Sequence, residues 1–371
     1  MRFLFVDAQY PAFLESVYRD HPHLASATYD QQRATIHAGL FGEAAFQADA
    51  LRAMGHEADV IVTNAAAAQR AWAKERRLEH LDRPRLRLRR RGGVVPWVSR
   101  QRVGTAWGIV AAQVRAYQPD VVYVEILDTI PAAVVAEIRE STRLVVAQIA
   151  TTIPDGNYSG YDLIISSIPA IVDRFRRDNI PAELVPLAFA PLVLEHVSAS
   201  RRDVPVSFVG SFSDAYRDRV AIVDAVARAA PLQTWTADRA QLPANSAIVP
   251  TIRGSAFGRG MYAVLARSQL TLNSHGIVSG SDANNLRLYE ATGMGALLVT
   301  DHRDNLNRLF NVGAEILSYR TPAEAAELVT HYLAHPSEAA RIAAAGQART
   351  HRDHTWADRM QQLVVSVESR L

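Results

Sequence analysis

The sequence contains no cysteine, and Lys74 is the only lysine among its 371 residues. The absence of cysteine excludes disulfide bonds, cysteine-ligated zinc and thiol catalysis. The shortage of lysine argues against a phosphate-binding P-loop, which needs Gly-Lys-Ser/Thr, and against a pyridoxal phosphate enzyme, which needs a lysine Schiff base. Several large enzyme classes are therefore disfavoured before any motif is considered.

The chain also lacks long apolar runs and a strong charge of one sign. No stretch reaches the roughly 18–20 apolar residues of a membrane span, and residues 1–7 meet a charge too early for a signal peptide. The formal net charge is only +2, with arginines spread along the whole chain. The sequence therefore predicts a cytoplasmic protein, and no nucleic-acid partner is expected.

One local exception is residues 83–91, Arg-Pro-Arg-Leu-Arg-Leu-Arg-Arg-Arg, the densest charge run in the chain. Alternating leucine and arginine favour a solvated edge strand. The same run could make peripheral contact with an anionic surface, and both interpretations stay open.

The length and the 49% hydrophobic residues suffice for two α/β cores. We predict an N-terminal domain at 1–190, a linker at 191–203 and a second domain at 204–350. A last segment at 351–371 is predicted to be a helix.

Residues 282–301 form the most informative stretch. The apolar spacing predicts a helix over 284–291, ended by Gly293-Met294-Gly295 and followed by a buried strand at 296–300. On that helix Arg287 and Glu290 lie three residues apart and share a face. An arginine can pair with a diphosphate and a glutamate can accept hydrogen bonds from a ribose, so the two could hold a nucleotide. The alternative is an ordinary surface ion pair.

Two more strand ends belong to the same predicted domain. The strand 204–209 runs into Gly210-Ser211 and a helix from Asp214 that carries Arg217 and Arg219 in its first turn, an arrangement typical of anion sites. If those arginines face solvent instead, the arrangement does not indicate an anion site. The strand 269–273 delivers Asn273 and, just beyond it, His275.

The first domain offers weaker candidates for recognising a second substrate. The strand 119–125 ends at Glu125, with Asp128 close behind, and ligands of open α/β sheets bind at such ends. The segment 8–42 is unusually long for a connection and contains His37, so it is either a loop that binds the acceptor or a purely structural excursion. Glu125, Asp128 and His37 are the candidate general bases.

Several of these residues fall into a pattern that resembles GT-B glycosyltransferases, in particular the CgeB-like proteins related to spore maturation. The pattern comprises Phe-Val-Gly-Ser at 208–211, Leu-Asn-x-His at 272–275, Asn-x-Arg-x-Tyr-Glu at 285–290 and His-Thr-Trp-x-x-Arg at 354–359. The resemblance spans most of the chain and is strongest after residue 204.

The resemblance implies a GT-B fold, with two Rossmann-like domains whose parallel sheets face each other across a cleft and a C-terminal helix that crosses back to the first domain. It implies a metal-independent glycosyltransferase without a cofactor, using a UDP-, GDP- or dTDP-linked sugar and a small-molecule, glycan or protein acceptor. The stereochemistry is open. The alternatives are a nucleotide-sugar epimerase and a non-catalytic sugar-nucleotide binding protein. The expected donor-binding residues are Gly210, Ser211, Arg217, Arg219, Asn273, His275, Asn284, Asn285, Arg287 and Glu290.

Overall fold

Two six-stranded parallel sheets organise the chain in the computed structural model. The structure describes residues 1–82, 86–91, 95–100, 106–127, 129–213 and 218–371, with only the backbone given for 86–91 and 95–100. The predicted candidates Asp128 and Arg217, and part of the 83–91 run, lie outside the described residues. No helix in the described part is both long and apolar enough to cross a membrane.

The first sheet has the strand order β2-β1-β5-β6-β7-β8. Strands β1 and β5 are buried apolar runs, as expected when helices cover both faces of a parallel sheet. A separate antiparallel hairpin, β3-β4, contains most of the arginine-rich run, which is therefore a strand as predicted. The strands are β1 (Arg2–Asp7), β2 (Glu57–Val62), β3 (Leu86–Arg91), β4 (Val95–Arg100), β5 (Val121–Val124), β6 (Leu144–Gln148), β7 (Leu163–Ser166) and β8 (Ala182–Leu184).

The helices of this half are α1 (Pro11–Asp20), α2 (Tyr29–Ala38), α3 (Glu43–Ala53), α4 (Ala66–Glu75), α5 (Trp107–Tyr117), α6 (Ala132–Arg139), α7 (Pro169–Arg177) and α8 (Val193–His196). Helices α1 and α2 contradict the predicted loop at 8–42. The reason is local: Pro11 occupies the first position of α1, and Thr28 and Gln31 form a complete capping box at the start of α2.

The second sheet has the order β11-β10-β9-β12-β13-β14. Its strands are β9 (Val204–Val209), β10 (Leu232–Trp235), β11 (Ile252–Gly254), β12 (Ser268–Leu272), β13 (Leu297–Asp301) and β14 (Leu317–Tyr319). Its helices are α9 (Arg219–Ala229), α10 (Gly258–Arg267), α11 (Arg287–Gly293), α12 (Leu306–Leu309), α13 (Pro322–Ala334) and α14 (Pro336–Asp353). Two α/β halves with parallel sheets confirm the predicted fold class.

The last helix, α15 (Trp356–Glu368), returns to the first half as predicted. Thr355 and Asp358 form its capping box, and the backbone of Trp356 donates to the carbonyl of Phe189 over 3.0 Å. Further along, Gln362 donates to the carbonyl of Leu184, the last residue of β8. The helix therefore ties the end of the second half to the first sheet.

A second contact between the halves closes one side of the groove between the sheets. The rings of Phe41 and Phe257 meet edge to face at 5.6 Å, and the backbone N–H of Arg259 donates to the carbonyl of Gly39 over 2.8 Å. Gly258 lies between them with φ +47°, and a Cβ there would overlap the carbonyl oxygen of Gly39. This close approach requires glycine.

Replacing Gly258 with alanine should therefore destabilise the protein by about 1–3 kcal/mol, because the added methyl forces the two halves apart. Gly260→Ala is the matched control on the same helix, since a Cβ there meets open space. Thermal unfolding of both variants checks this, and equal melting temperatures would show that the contact carries no such constraint.

Candidate active site

A cavity of about 460 Å³ lies between the carboxyl ends of the two sheets, where open α/β sheets bind ligands. Both halves line it. The first half contributes Asp7, Gln9, Tyr10, Glu43, Glu125 and Gln148 among others, and the second contributes Gly210, Ser211, Arg219, Asn273, Asn285, Arg287 and Glu290. Seven of the predicted donor-binding residues thus meet in one place, although their roles stay predictions.

The most informative contact in the cavity is the ion pair between Arg287 and Glu290. Their side chains lie 2.7 Å apart and are only 14% and 10% exposed. Arg287 also donates to the carbonyl of Val209 over 3.1 Å, and the hydroxyl of Tyr262 donates to Glu290 over 3.4 Å. Burial raises the pKa of Glu290, while Arg287 and the Tyr262 hydroxyl oppose the rise. This pair is therefore part of the cleft, and the surface ion-pair alternative is wrong.

The turn after β9 lies beside this pair. Ser211 donates to Asp238 over 2.6 Å, which fixes the turn, and a Cβ on Gly210 would come within 3.0 Å of the Phe208 ring. Arg219 begins α9 and donates to the carbonyls of Ser211 and Ser274, so it joins two strand ends. The turn and the side chains of Arg219 and Arg287 therefore line the cavity together.

Asn273 and Asn285 hold each other across the same sheet edge. The amide of Asn285 donates to the Asn273 side-chain oxygen over 3.0 Å, and Asn273 also donates to Thr300 over 3.0 Å. This network connects the end of β12 to the residues that precede α11. Asn284 is half-buried and does not line the cavity.

His275 faces a neighbouring cavity of about 690 Å³ rather than the central one. Its Nδ1 lies 2.6 Å from Asp301, which also accepts from Arg303 over 2.6 Å. Burial alone would raise the pKa of Asp301, but the hydrogen bond from His275 and the charges of His275 and Arg303 lower it to about 2. His275 therefore belongs to a network beside the cleft.

On the first-domain side, three carboxylates line the cavity: Asp7, Glu43 and Glu125. Burial raises the pKa of Asp7 to about 6. Burial, then the nearby charges of Asp7 and Glu290, raise the pKa of Glu43 to about 8. Burial, then Glu43 and Asp7, raise the pKa of Glu125 well above its usual value. Such shifts mark groups whose charge a ligand can control.

The sequence predicted only Glu125 of these three. Asp7 is the last residue of β1, and Glu125 directly follows β5. Because neighbouring parallel strands end at the same edge of a sheet, the sequence contained a signal for Asp7 as well. Glu43 had no comparable signal, because it reaches the cavity from the first position of α3. His37 is elsewhere: it is half-buried on α2, it does not line the cavity, and burial together with the charge of Arg33 lowers its pKa to about 4.

Residues 192–365 match the family model described as glycosyl transferase-like, which covers a little under half of the chain. No match was found among proteins with curated descriptions.

Solved structures resemble the chain over its whole length. The Anabaena protein Alr3699/HepE in complex with UDP-glucose is 12% identical with a TM-score of 0.55, and 100% of each chain is covered. AviGT4, a glycosyltransferase of avilamycin A biosynthesis, is 16% identical with a TM-score of 0.53, covering 89% of this chain and 90% of that one. Sucrose-phosphate synthase from Thermosynechococcus elongatus is 11% identical with a TM-score of 0.54, covering 100% and 98%.

At these identities the likeness concerns the fold. The predicted GT-B fold is confirmed by it, and the second half of the chain carries the glycosyl transferase-like match.

Proposed function

We propose that this chain is a glycosyltransferase that moves a sugar from a UDP-linked donor to an acceptor hydroxyl without a metal ion. The observation that carries the proposal is the buried Arg287–Glu290 pair beside the Gly210-Ser211 turn, inside a cleft between two Rossmann-like halves. The choice of UDP is supported by Alr3699/HepE, which was solved with UDP-glucose and with UDP. The domain assignment follows: acceptor recognition in 1–190 and donor binding in 204–350.

In this proposal the second domain binds the nucleotide sugar. Arg287 and the turn at Gly210-Ser211 contact the diphosphate, and Glu290 accepts hydrogen bonds from the ribose. A guanidinium in a partly buried site stabilises the negative charge of a departing diphosphate, the role that a metal ion has in other transferases. The hydrogen bond between Asn273 and Asn285 fixes the end of β12 relative to the residues that precede α11, next to the bound ligand.

The reaction forms a bond between the acceptor oxygen and the anomeric carbon and breaks the bond from that carbon to the diphosphate. The nucleoside diphosphate leaves with the bonding electrons. If the configuration inverts, the acceptor proton passes to Glu125. If it is retained, the proton passes to the departing phosphate oxygen and Glu125 orients the hydroxyl by accepting a hydrogen bond. In both cases Glu125 acts as a carboxylate.

Two finer assignments belong to the same proposal. The motifs at 208–211, 272–275 and 354–359 support the assignment of the chain to the CgeB-like glycosyltransferases, which stays part of the proposal. Contact of the 83–91 run with an anionic surface stays a prediction. Neither an epimerase nor a non-catalytic binding protein is favoured, because the matching family model is described as glycosyl transferase-like and AviGT4, one of the structural neighbours, is a glycosyltransferase.

Thermal shift measurements with UDP, GDP, dTDP, CDP and ADP test the donor assignment. A nucleotide at 100 times its dissociation constant stabilises the folded protein by about 2.7 kcal/mol, which is readily visible. We expect UDP to raise the melting temperature more than the other four. A panel in which none of the nucleotides has an effect would contradict the proposed function.

A further inference from the structure

The charges in the central cavity are divided between its two walls. Among the described lining residues, the charged groups of the first half are all acidic: Asp7, Glu43 and Glu125. Both cations, Arg219 and Arg287, belong to the second half, whose one lining carboxylate, Glu290, is paired with Arg287. A nucleoside diphosphate therefore suits the second wall, whereas the first wall suits a ligand that carries positive charge.

The acidic wall contains hydrogen-bond acceptors that the protein itself leaves unused. Glu43 Oε2 and Glu125 Oε1 are enclosed and have no hydrogen-bond partner. Gln47 is only 2% exposed and hydrogen-bonds Glu125, yet its own Oε1 has no partner either. Buried acceptors without donors are costly, and since Glu43 and Glu125 line the cavity, this side of it favours a ligand that donates hydrogen bonds.

The unused acceptors are not arranged for a metal. Among the residues with described side chains, no group of three or more His, Asp or Glu is placed to hold a metal ion. An ammonium group differs from a metal because it donates three separate hydrogen bonds over ordinary distances. It can therefore satisfy carboxylates that are too widely spaced for coordination.

An aromatic surface lies at the mouth of the same cavity. Tyr10 is 66% exposed although it lines the cavity, and its ring contacts Phe41 edge to face at 5.4 Å. Phe41 in turn packs against Phe13 at 4.6 Å, so the surface is held in place from behind. Such a ring offers an apolar face to the carbon skeleton of a cyclic ligand.

We propose that the acceptor is a cyclic polyhydroxy amine, of the amino sugar or aminocyclitol class, whose ammonium group donates to Glu43 and is attracted by the neighbouring charge of Asp7 while its ring packs against Tyr10. This inference rests on the proposed function and names its acceptor class. It also gives Glu125 a defined partner, because an ammonium held by the other two carboxylates leaves a neighbouring hydroxyl next to Glu125.

Calorimetric titration of the full chain with matched pairs tests this. Glucosamine is compared with glucose and with N-acetylglucosamine, and galactosamine with galactose, each with and without saturating UDP. We expect each amine to bind about ten- to a hundredfold more tightly than its neutral partners, the range expected for hydrogen bonds between charged groups.

The variants Glu43→Gln and Asp7→Asn should abolish this preference while leaving UDP binding in place, which reports that they are folded. Glu140→Gln, an exposed carboxylate outside the cleft, is the control and should keep the preference. If no amine binds better than its neutral partners, with or without UDP, the acceptor inference is wrong. Failure of UDP to bind would instead contradict the proposed donor function. The two failures are distinguishable because the amines are also titrated without UDP.

Discussion

Replacing Arg287 with alanine should lower kcat/KM for the nucleotide sugar by about a hundred- to a thousandfold. This is the range expected when one preorganised group that stabilises developing charge is removed. The guanidinium is 14% exposed, is held by Glu290 and by the carbonyl of Val209, and lies beside the Gly210-Ser211 turn. Water that enters after truncation is not preorganised and replaces little of this stabilisation.

Loss of folding must be separated from loss of catalysis, because Arg287→Ala leaves Glu290 buried without its cation. The double variant Arg287→Ala/Glu290→Ala removes both charges, and we expect it to be inactive but close to wild type in melting temperature. Arg228→Ala is the matched control, since Arg228 pairs with Asp224 on the exposed face of α9. Steady-state kinetics decide the matter: wild-type kcat/KM in folded Arg287→Ala would refute its proposed role.

How far the sequence predicts the site depends on how local each feature is. Arg287 and Glu290 are three residues apart on one helix, so their pairing follows from helical spacing alone. The spacing does not predict that the two side chains are buried. They are buried because Tyr262 on α10 and the carbonyl of Val209 lie against them. The sequence therefore identified the pair but left its surroundings undecided.

The acidic wall shows the opposite case. Asp7, Glu43 and Glu125 are far apart in the sequence and meet only because β1 and β5 are neighbours in the sheet and α3 starts beside them. Gly42 helps to place Glu43, since its φ of +88° brings the chain against Gln9. A strand order and a turn conformation are both needed, and the sequence specifies neither directly.

The expectations for the segment 8–42 and for His37 are wrong for physical reasons that the sequence contains. The length of the segment 8–42 favours a loop, yet the Thr28 and Gln31 pair is a helix-start signal. His37 is a candidate base only if that segment is a loop. On α2 it lies near the charge of Arg33 and does not line the cavity.

If the configuration inverts, replacing Glu125 with glutamine should lower kcat by about a hundred- to ten-thousandfold, the range for removing a group that accepts a proton in the transition state. The amide keeps the size of the side chain but is a poor base, and it cannot take the charge of a carboxylate. Glu140→Gln again serves as the control, with kinetics expected to match the wild type.

The pH profile gives a sharper test, because the pKa of Glu125 depends on the charges of Asp7 and Glu43, the other two carboxylates of the acidic wall. Burial and the charges of Glu43 and Asp7 raise the pKa of Glu125, so activity that requires its carboxylate should increase with pH. Glu43→Gln removes a like charge and should shift the rising limb of kcat/KM to lower pH. A bound ammonium acts in the same direction, so an amine acceptor favours the carboxylate form of Glu125. If the rising limb is unchanged in Glu43→Gln and persists in Glu125→Gln, another group titrates in the profile and Glu125 is not that carboxylate.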